Sequence, residues 1–356
     1  MPSSISSFDE KDQAGIARPG PKSRAALDRP NRAGMTTSVG ICALLSGLLV
    51  LFVGLELSSP WILRRLSRTE RRVTEELRGA QALRRTSDDG RPTVLLVGNS
   101  LLLEGVQIDE LKTDLSHQYS VSRLGIEQTH YLDWYFGLRR LLEEGSRPSV
   151  IVLSLATDQL ASPFTLEESF AHRQMLARDL PLVIRERNLD RTSASSYFFA
   201  HWSNWLGDKG FVRQCIMILL VPNFRELGAR IADHSAHIHD PVVLLNAGKH
   251  RFRELRELGD QYQVPIVLLI PPSLREDHAL DLQELGAQMG IPVWVPTKPG
   301  EFSRDYFLDG FHLNRRGAEI FTARLSERIS DLSVYRSASQ DTAAPSGTGA
   351  IERRKR

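Results

Sequence analysis

Five short apolar runs, rich in β-branched residues and bounded by turn residues, recur from position 93 onward: TVLLVG (93–98), YSVSRLGI (119–126), SVIVLSLA (149–156), VPIVLLIPP (264–272) and IPVWVP (291–296). Near-continuous runs of this length suit strands buried on both faces rather than strands with one wet face. Between them the apolar positions repeat with a helical period, near 107–115, 128–144, 241–262, 276–289 and 315–331. Strand and helix in alternation predict a parallel sheet covered by helices on both sides, a three-layer α/β/α sandwich. One connection, from Asp158 to Lys249, is too long for a simple crossover and predicts an insertion at about 159–240.

Upstream the pattern is different. Twenty-three uncharged residues separate Arg32 from Glu56, centred on VGICALLSGLLVLFVGL. At about 1.5 Å rise per residue such a helix spans a hydrocarbon layer of roughly 30 Å, which predicts one transmembrane helix over 36–57. A cleaved signal peptide and a buried soluble helix are the competing readings; the long charged leader argues against the first and the lack of a polar face against the second. Within about 20 residues of the span, five basic residues precede it (Arg18, Lys22, Arg24, Arg29, Arg32) and five follow it (Arg64, Arg65, Arg68, Arg71, Arg72). Charge asymmetry therefore does not orient it, and the size of the downstream domain favours an extracytoplasmic C-terminal part. Residues 1–35 and 336–356 have the composition of disordered tails, and the Arg/Glu-rich stretch within 58–91 reads as a helical juxtamembrane linker.

The formal charge of +2 arises from 45 basic and 43 acidic residues interspersed along the chain, which excludes the basic field of a nucleic-acid binder. Only two cysteines occur, Cys42 and Cys215, each within an apolar segment, so neither a disulfide framework nor a thiolate metal site is expected.

Candidate chemistry sits at the two ends of the domain. Gly98, Asn99 and Ser100 end the first strand, where a parallel sheet binds its ligands. Asp309 and His312 stand before a helix capped by Asn314 and carrying the apolar stripe Ala318, Phe321, Leu325 and Ile329. A serine nucleophile needs a base to take its proton and a third group to hold that base, and Ser100, His312 and Asp309 offer those roles. Weaker candidates are Asp233, His234, His237, His239 and Asp240 as zinc ligands, and Asp277 with His278 as an acid/base pair. The aromatic stretch Tyr197, Phe198, Phe199, Trp202 and Trp205 reads either as a lid or as the insertion's own core.

With GNS at the start and DGFH at the end, residues 92–335 resemble the SGNH/GDSL hydrolase superfamily. The apolar helix and IPPSLRED make the chain look most like the membrane-anchored branch that includes alginate O-acetylation proteins and the D-alanine transfer protein of teichoic acid synthesis. The resemblance implies a flavodoxin-like fold and an ester hydrolase or O-acyltransferase acting on acylated envelope polysaccharide without cofactor or metal, in company with other envelope-biosynthesis membrane proteins. It assigns Ser100 as nucleophile, His312 as base and Asp309 as its orienter. Its oxyanion positions map to Gly125 or Gln128 in LGIEQTH and to Thr157 in LATD, where the family carries glycine and asparagine. These departures leave open a second reading, a non-catalytic glycan-binding or scaffold protein that keeps the fold.

Overall fold

The structure is a computed structural model that describes residues 32–221 and 240–332. The chain divides into two compact units, Met1–Phe52 and Val53–Arg356. The described part of the first is helical, and its apolar side chains from Val39 to Phe52 are exposed. They belong to α1 (Arg32–Leu66), whose stretch Val39–Arg65 is long and apolar enough to cross a membrane. The helix runs through Leu66 rather than stopping at 57, because SSPWILRRL continues without a glycine break and Pro60 alone does not end it.

In the second unit five parallel strands form one sheet in the order β2-β1-β3-β4-β5, the doubly wound order of flavodoxin-like folds. They are β1 (Thr93–Gly98), β2 (Ser120–Gly125), β3 (Val150–Ser154), β4 (Ile266–Leu269) and β5 (Val293–Trp294). Alternate residues go to opposite layers. Leu95, Val97, Ile151, Leu153 and Leu268 pack under α5 (Tyr131–Glu143), α11 (Pro241–Tyr262) and α12 (Ala279–Met289). Val94, Leu96, Val152, Val267 and Leu269 pack on the other face, under α3 (Ser100–Gly105), α4 (Ile108–Asp114) and α13 (Arg315–Ser330). β1, β3 and β4, buried along their whole length, are thus covered on both faces, as their near-continuous apolar runs require.

Residues 58–91 are not a free spacer. Within them α2 (Arg68–Ala82) packs along the edge strand β2, with Val73 and Ala80 buried. Arg123 donates to Glu76 Oε1 at 2.8 Å, and Arg72 reaches the Gly125 carbonyl at 2.8 Å and Glu127 at 2.7 Å. The Arg/Glu content that reads as a solvated face is the means by which the helix caps an otherwise open sheet edge.

The described part of the insertion is helical: α6 (Thr157–Ala161), α7 (Glu167–Arg173), α8 (Leu180–Arg187), α9 (Arg191–Trp202) and α10 (Asn204–Leu220). Its aromatic stretch divides between the two readings. Tyr197 is buried beside Phe170, whereas Phe198, Phe199 and Trp202 are exposed.

Candidate active site

The strand order reverses around β1, which pairs with β2 on one side and β3 on the other. A crevice opens at the carboxyl ends of the strands at such a point, and Ser100 stands there as the first residue of α3, directly after β1. The approach is tight. A Cβ on Gly98 would lie 2.8 Å from the Ser154 carbonyl oxygen on β3, so only glycine lets the two strands close just before the serine.

Asp309 and His312 arrive on a loop fixed at both ends. Phe307 and Leu313 form an antiparallel bridge and are buried in the core, while Leu308 N–H donates to the His312 carbonyl at 2.8 Å. Gly310 adopts φ 95°, a left-handed conformation that favours glycine and turns the chain inside this loop. Asn314 accepts from Gly317 N–H at 3.1 Å and starts α13, so the loop is held against a packed helix.

The three side chains form one relay. Ser100 Oγ lies 2.9 Å from His312 Nε2, and His312 Nδ1 lies 2.8 Å from Asp309 Oδ2. The other carboxylate oxygen, Oδ1, accepts the backbone N–H groups of His312 at 2.8 Å and Phe311 at 2.9 Å. Partial burial pushes the Asp309 carboxyl up, but the His312 ring and these two N–H donors outweigh it and hold it at about 2. An ionised Asp309 beside Nδ1 selects the tautomer with its proton on Nδ1, which leaves Nε2 as an acceptor for the serine hydroxyl.

The expected oxyanion donors lie at the same end of the sheet and differ in readiness. Ser100 is at the first position of its helix, so its N–H has no acceptor within the helix. Gly125 N–H donates to Glu76 Oε2 at 2.8 Å and is already engaged there. Gln128 adopts φ 61°, a left-handed conformation that favours glycine, with an exposed side chain. Thr157 is buried at the first position of α6, beyond the end of β3.

Asn99 is a participant that sequence reading undervalued. It is 1% exposed, and its Nδ2 donates to the Thr129 carbonyl at 2.9 Å and to Gln159 Oε1 at 2.7 Å. Its Oδ1 accepts Leu101 N–H at 3.0 Å, and Gln159 Oε1 also accepts Ala156 N–H at 3.0 Å. One amide thereby ties together the loops after β1, β2 and β3. A carboxylate, which only accepts, cannot make the two donated bonds, so asparagine at position 99 is matched to Gln159. The pairing crosses 60 residues, and nothing in the local pattern announces it.

Asp133, on the first turn of α5, is fully buried and accepts His130 N–H at 2.8 Å and Leu166 N–H at 2.9 Å. It joins the loop after β2 to the insertion. Burial pushes its carboxyl up to about 7, against those two donors. Between pH 4 and 7 the folded chain therefore holds a proton that the unfolded chain has lost, and stability falls with rising pH across that window. Asp133→Asn has no such proton. The unfolding free energy of the wild type relative to Asp133→Asn is expected to drop by on the order of 4 kcal/mol between pH 4 and pH 8, read from denaturant midpoints; a pH-independent difference would contradict it.

The second acid/base candidate is not assembled as a pair. His278 Nδ1 pairs with Asp281 at 3.0 Å instead of with Asp277, and Asp277 Oδ1 caps the Ala279 N–H at 3.2 Å. Asp233, His234, His237 and His239 lie outside the described residues, and Asp240 caps α11 through Val242 N–H at 2.8 Å. Among the described residues no three His, Cys, Asp or Glu side chains gather in a metal-binding group.

No family model matches the chain, and no curated protein matches it. Ten chains of solved structures do. A catalytic mutant of an acetylxylan esterase from Geobacillus stearothermophilus overlays with a TM-score of 0.36 at 9% identity, covering 67% of this chain and 93% of that one. TesA overlays with a TM-score of 0.30 at 12% identity, covering 65% and 95%. The lipase Lip_vut3 from a goat rumen metagenome gives 0.29 at 11%, again covering 65% and 95%. These overlays are loose, and the functional reading rests on the chain's own geometry.

Proposed function

We propose that this chain is a serine esterase or O-acyltransferase of the SGNH type, anchored to a membrane by α1 and acting on acyl esters, with acylated envelope polysaccharide as the substrate class. The observation that carries the reading is the unbroken relay from Ser100 through His312 to Asp309 at the switch point of the sheet. As Ser100 Oγ attacks the acyl carbonyl, its proton passes to His312 Nε2 and the imidazolium is held by Asp309. The negative charge on the acyl oxygen is received by the Ser100 N–H and by the Gln128 and Thr157 region. His312 then returns the proton to the leaving alcohol, and water or a sugar hydroxyl, deprotonated by the same ring, releases the acyl group.

Anchoring is supported by the end of the apolar helix. Glu56 accepts hydrogen bonds from Ser203 Oγ, from Asn204 N and Nδ2 and from Trp205 N, at 2.6–3.0 Å. A carboxylate on an otherwise apolar helix is thus satisfied by the N-terminus of α10, where the helix dipole also favours it. Exposed Phe198, Phe199 and Trp202 on the preceding helix have the chemistry of a membrane interface.

The test is covalent labelling of the purified full chain with a fluorophosphonate. Labelling is expected in the wild type and lost in both Ser100→Ala and His312→Ala. An unlabelled but folded wild type would instead support the non-catalytic scaffold, and labelling that survives either substitution would overturn the assignment of Ser100 and His312.

A further inference from the structure

The loop after β2 runs beside the nucleophile. Gly98 and Gly125 are partners in the sheet, Ile126 N–H donates to the Gly98 carbonyl at 2.9 Å, and Asn99 Nδ2 donates to the Thr129 carbonyl at 2.9 Å. A Cβ on Gly125 would run into Leu103, three residues past Ser100. Within this loop Gln128 stands at φ 61°, a conformation that a side chain keeps only where its surroundings enforce it.

The downstream end of the loop is tied through Thr129 and His130. Trp134 Nε1 donates to Thr129 Oγ1 at 2.9 Å, Thr129 Oγ1 donates to the Ile126 carbonyl at 2.7 Å, and Asp133 accepts the His130 N–H at 2.8 Å. The upstream end is tied by α2. Glu76 Oε2 accepts the Gly125 N–H and Arg72 donates to the Gly125 carbonyl, both at 2.8 Å. Both backbone groups of one edge residue are thus taken, as the next strand of a sheet would take them. Arg72 also donates to Glu127, the neighbour of Gln128, at 2.7 Å. The Glu76 side chain is only 14% exposed, so water competes little for these bonds.

We infer, on the esterase reading proposed above, that Arg72 and Glu76 are positioning residues for the reaction. Together with the downstream ties they hold Gln128 in its left-handed conformation beside Ser100, and so set the place of the loop that receives the acyl oxyanion. Ser67 alone separates α2 from α1, so this grip comes from the first helix after the apolar stretch.

The test is steady-state hydrolysis of p-nitrophenyl acetate by the purified full chain, with thermal midpoints measured alongside and Ser100→Ala as the blank. Glu76→Ala and Arg72→Ala are each expected to lower kcat about ten- to hundredfold with little change in KM, since a loosened oxyanion loop is felt in the transition state and not in substrate binding. Ala80→Gly weakens α2 one turn beyond the grip, where its carbonyl accepts from Ser146 Oγ. It is expected to lower the thermal midpoint and leave kcat unchanged. Glycine takes the left-handed conformation without strain, so in a Gln128→Gly background Glu76→Ala is expected to lower kcat less than about threefold. Full kcat in both Arg72→Ala and Glu76→Ala, an equal loss with glutamine or glycine at position 128, or a matching loss in Ala80→Gly would overturn the inference while the esterase reading stands. A folded wild type without Ser100-dependent turnover would overturn that reading, and the inference with it.

Discussion

Asp309→Asn is expected to lower kcat for acyl-ester turnover by about 10⁴-fold while the chain stays folded and KM changes little. Asp309 Oδ1 holds the two backbone N–H groups of the turn, and Oδ2 holds His312 Nδ1. An asparagine keeps its oxygen toward the backbone donors, which leaves its NH₂ facing Nδ1. The ring must then accept at Nδ1 and carry its proton on Nε2, where it meets the Ser100 hydroxyl as a donor and cannot serve as its base. The turn itself survives, because both backbone bonds survive. The measurement is steady-state hydrolysis of p-nitrophenyl acetate, with circular dichroism to check the fold; a loss below tenfold would show that Asp309 does not set the tautomer.

Asn99→Asp is the second. Although it restores the Gly-Asp-Ser sequence of the resembled family, it is expected to destabilise this chain by about 2–4 kcal/mol near pH 8. A carboxylate at this buried position faces the Thr129 carbonyl and Gln159 Oε1, two acceptors that now receive asparagine's N–H bonds. Protonation restores one donor, so the deficit is expected to shrink as the pH falls toward 5. Denaturant unfolding of wild type and variant at pH 8 and pH 5 measures both parts. A neutral substitution at pH 8 would show that the Asn99–Gln159 pairing does not hold the three loops together.

These two cases mark where the sequence is explicit and where it is silent. The DGFH turn is local: aspartate, glycine and histidine lie within four residues, and their hydrogen bonds close inside the same loop. The role of Asn99 depends on Gln159, and the engagement of Gly125 N–H depends on Glu76, 49 positions away. Local pattern carries no term for such pairs. Gln128 takes a left-handed conformation that favours glycine, and a side chain there gives no local sign of it.

The sequence by itself determined the layer architecture, the order of strands and helices, the apolar helix before them, and the two ends of the relay. Those features follow from periodicity and from turn and cap chemistry, which act over a few residues. The tertiary structure alone decided that α2 closes the sheet edge and takes the Gly125 N–H, that His278 pairs with Asp281, and that Phe198, Phe199 and Trp202 stay exposed while Tyr197 is buried. Burial and hydrogen-bond partnership are properties of what surrounds a side chain, and most of those surroundings come from positions far away in the chain.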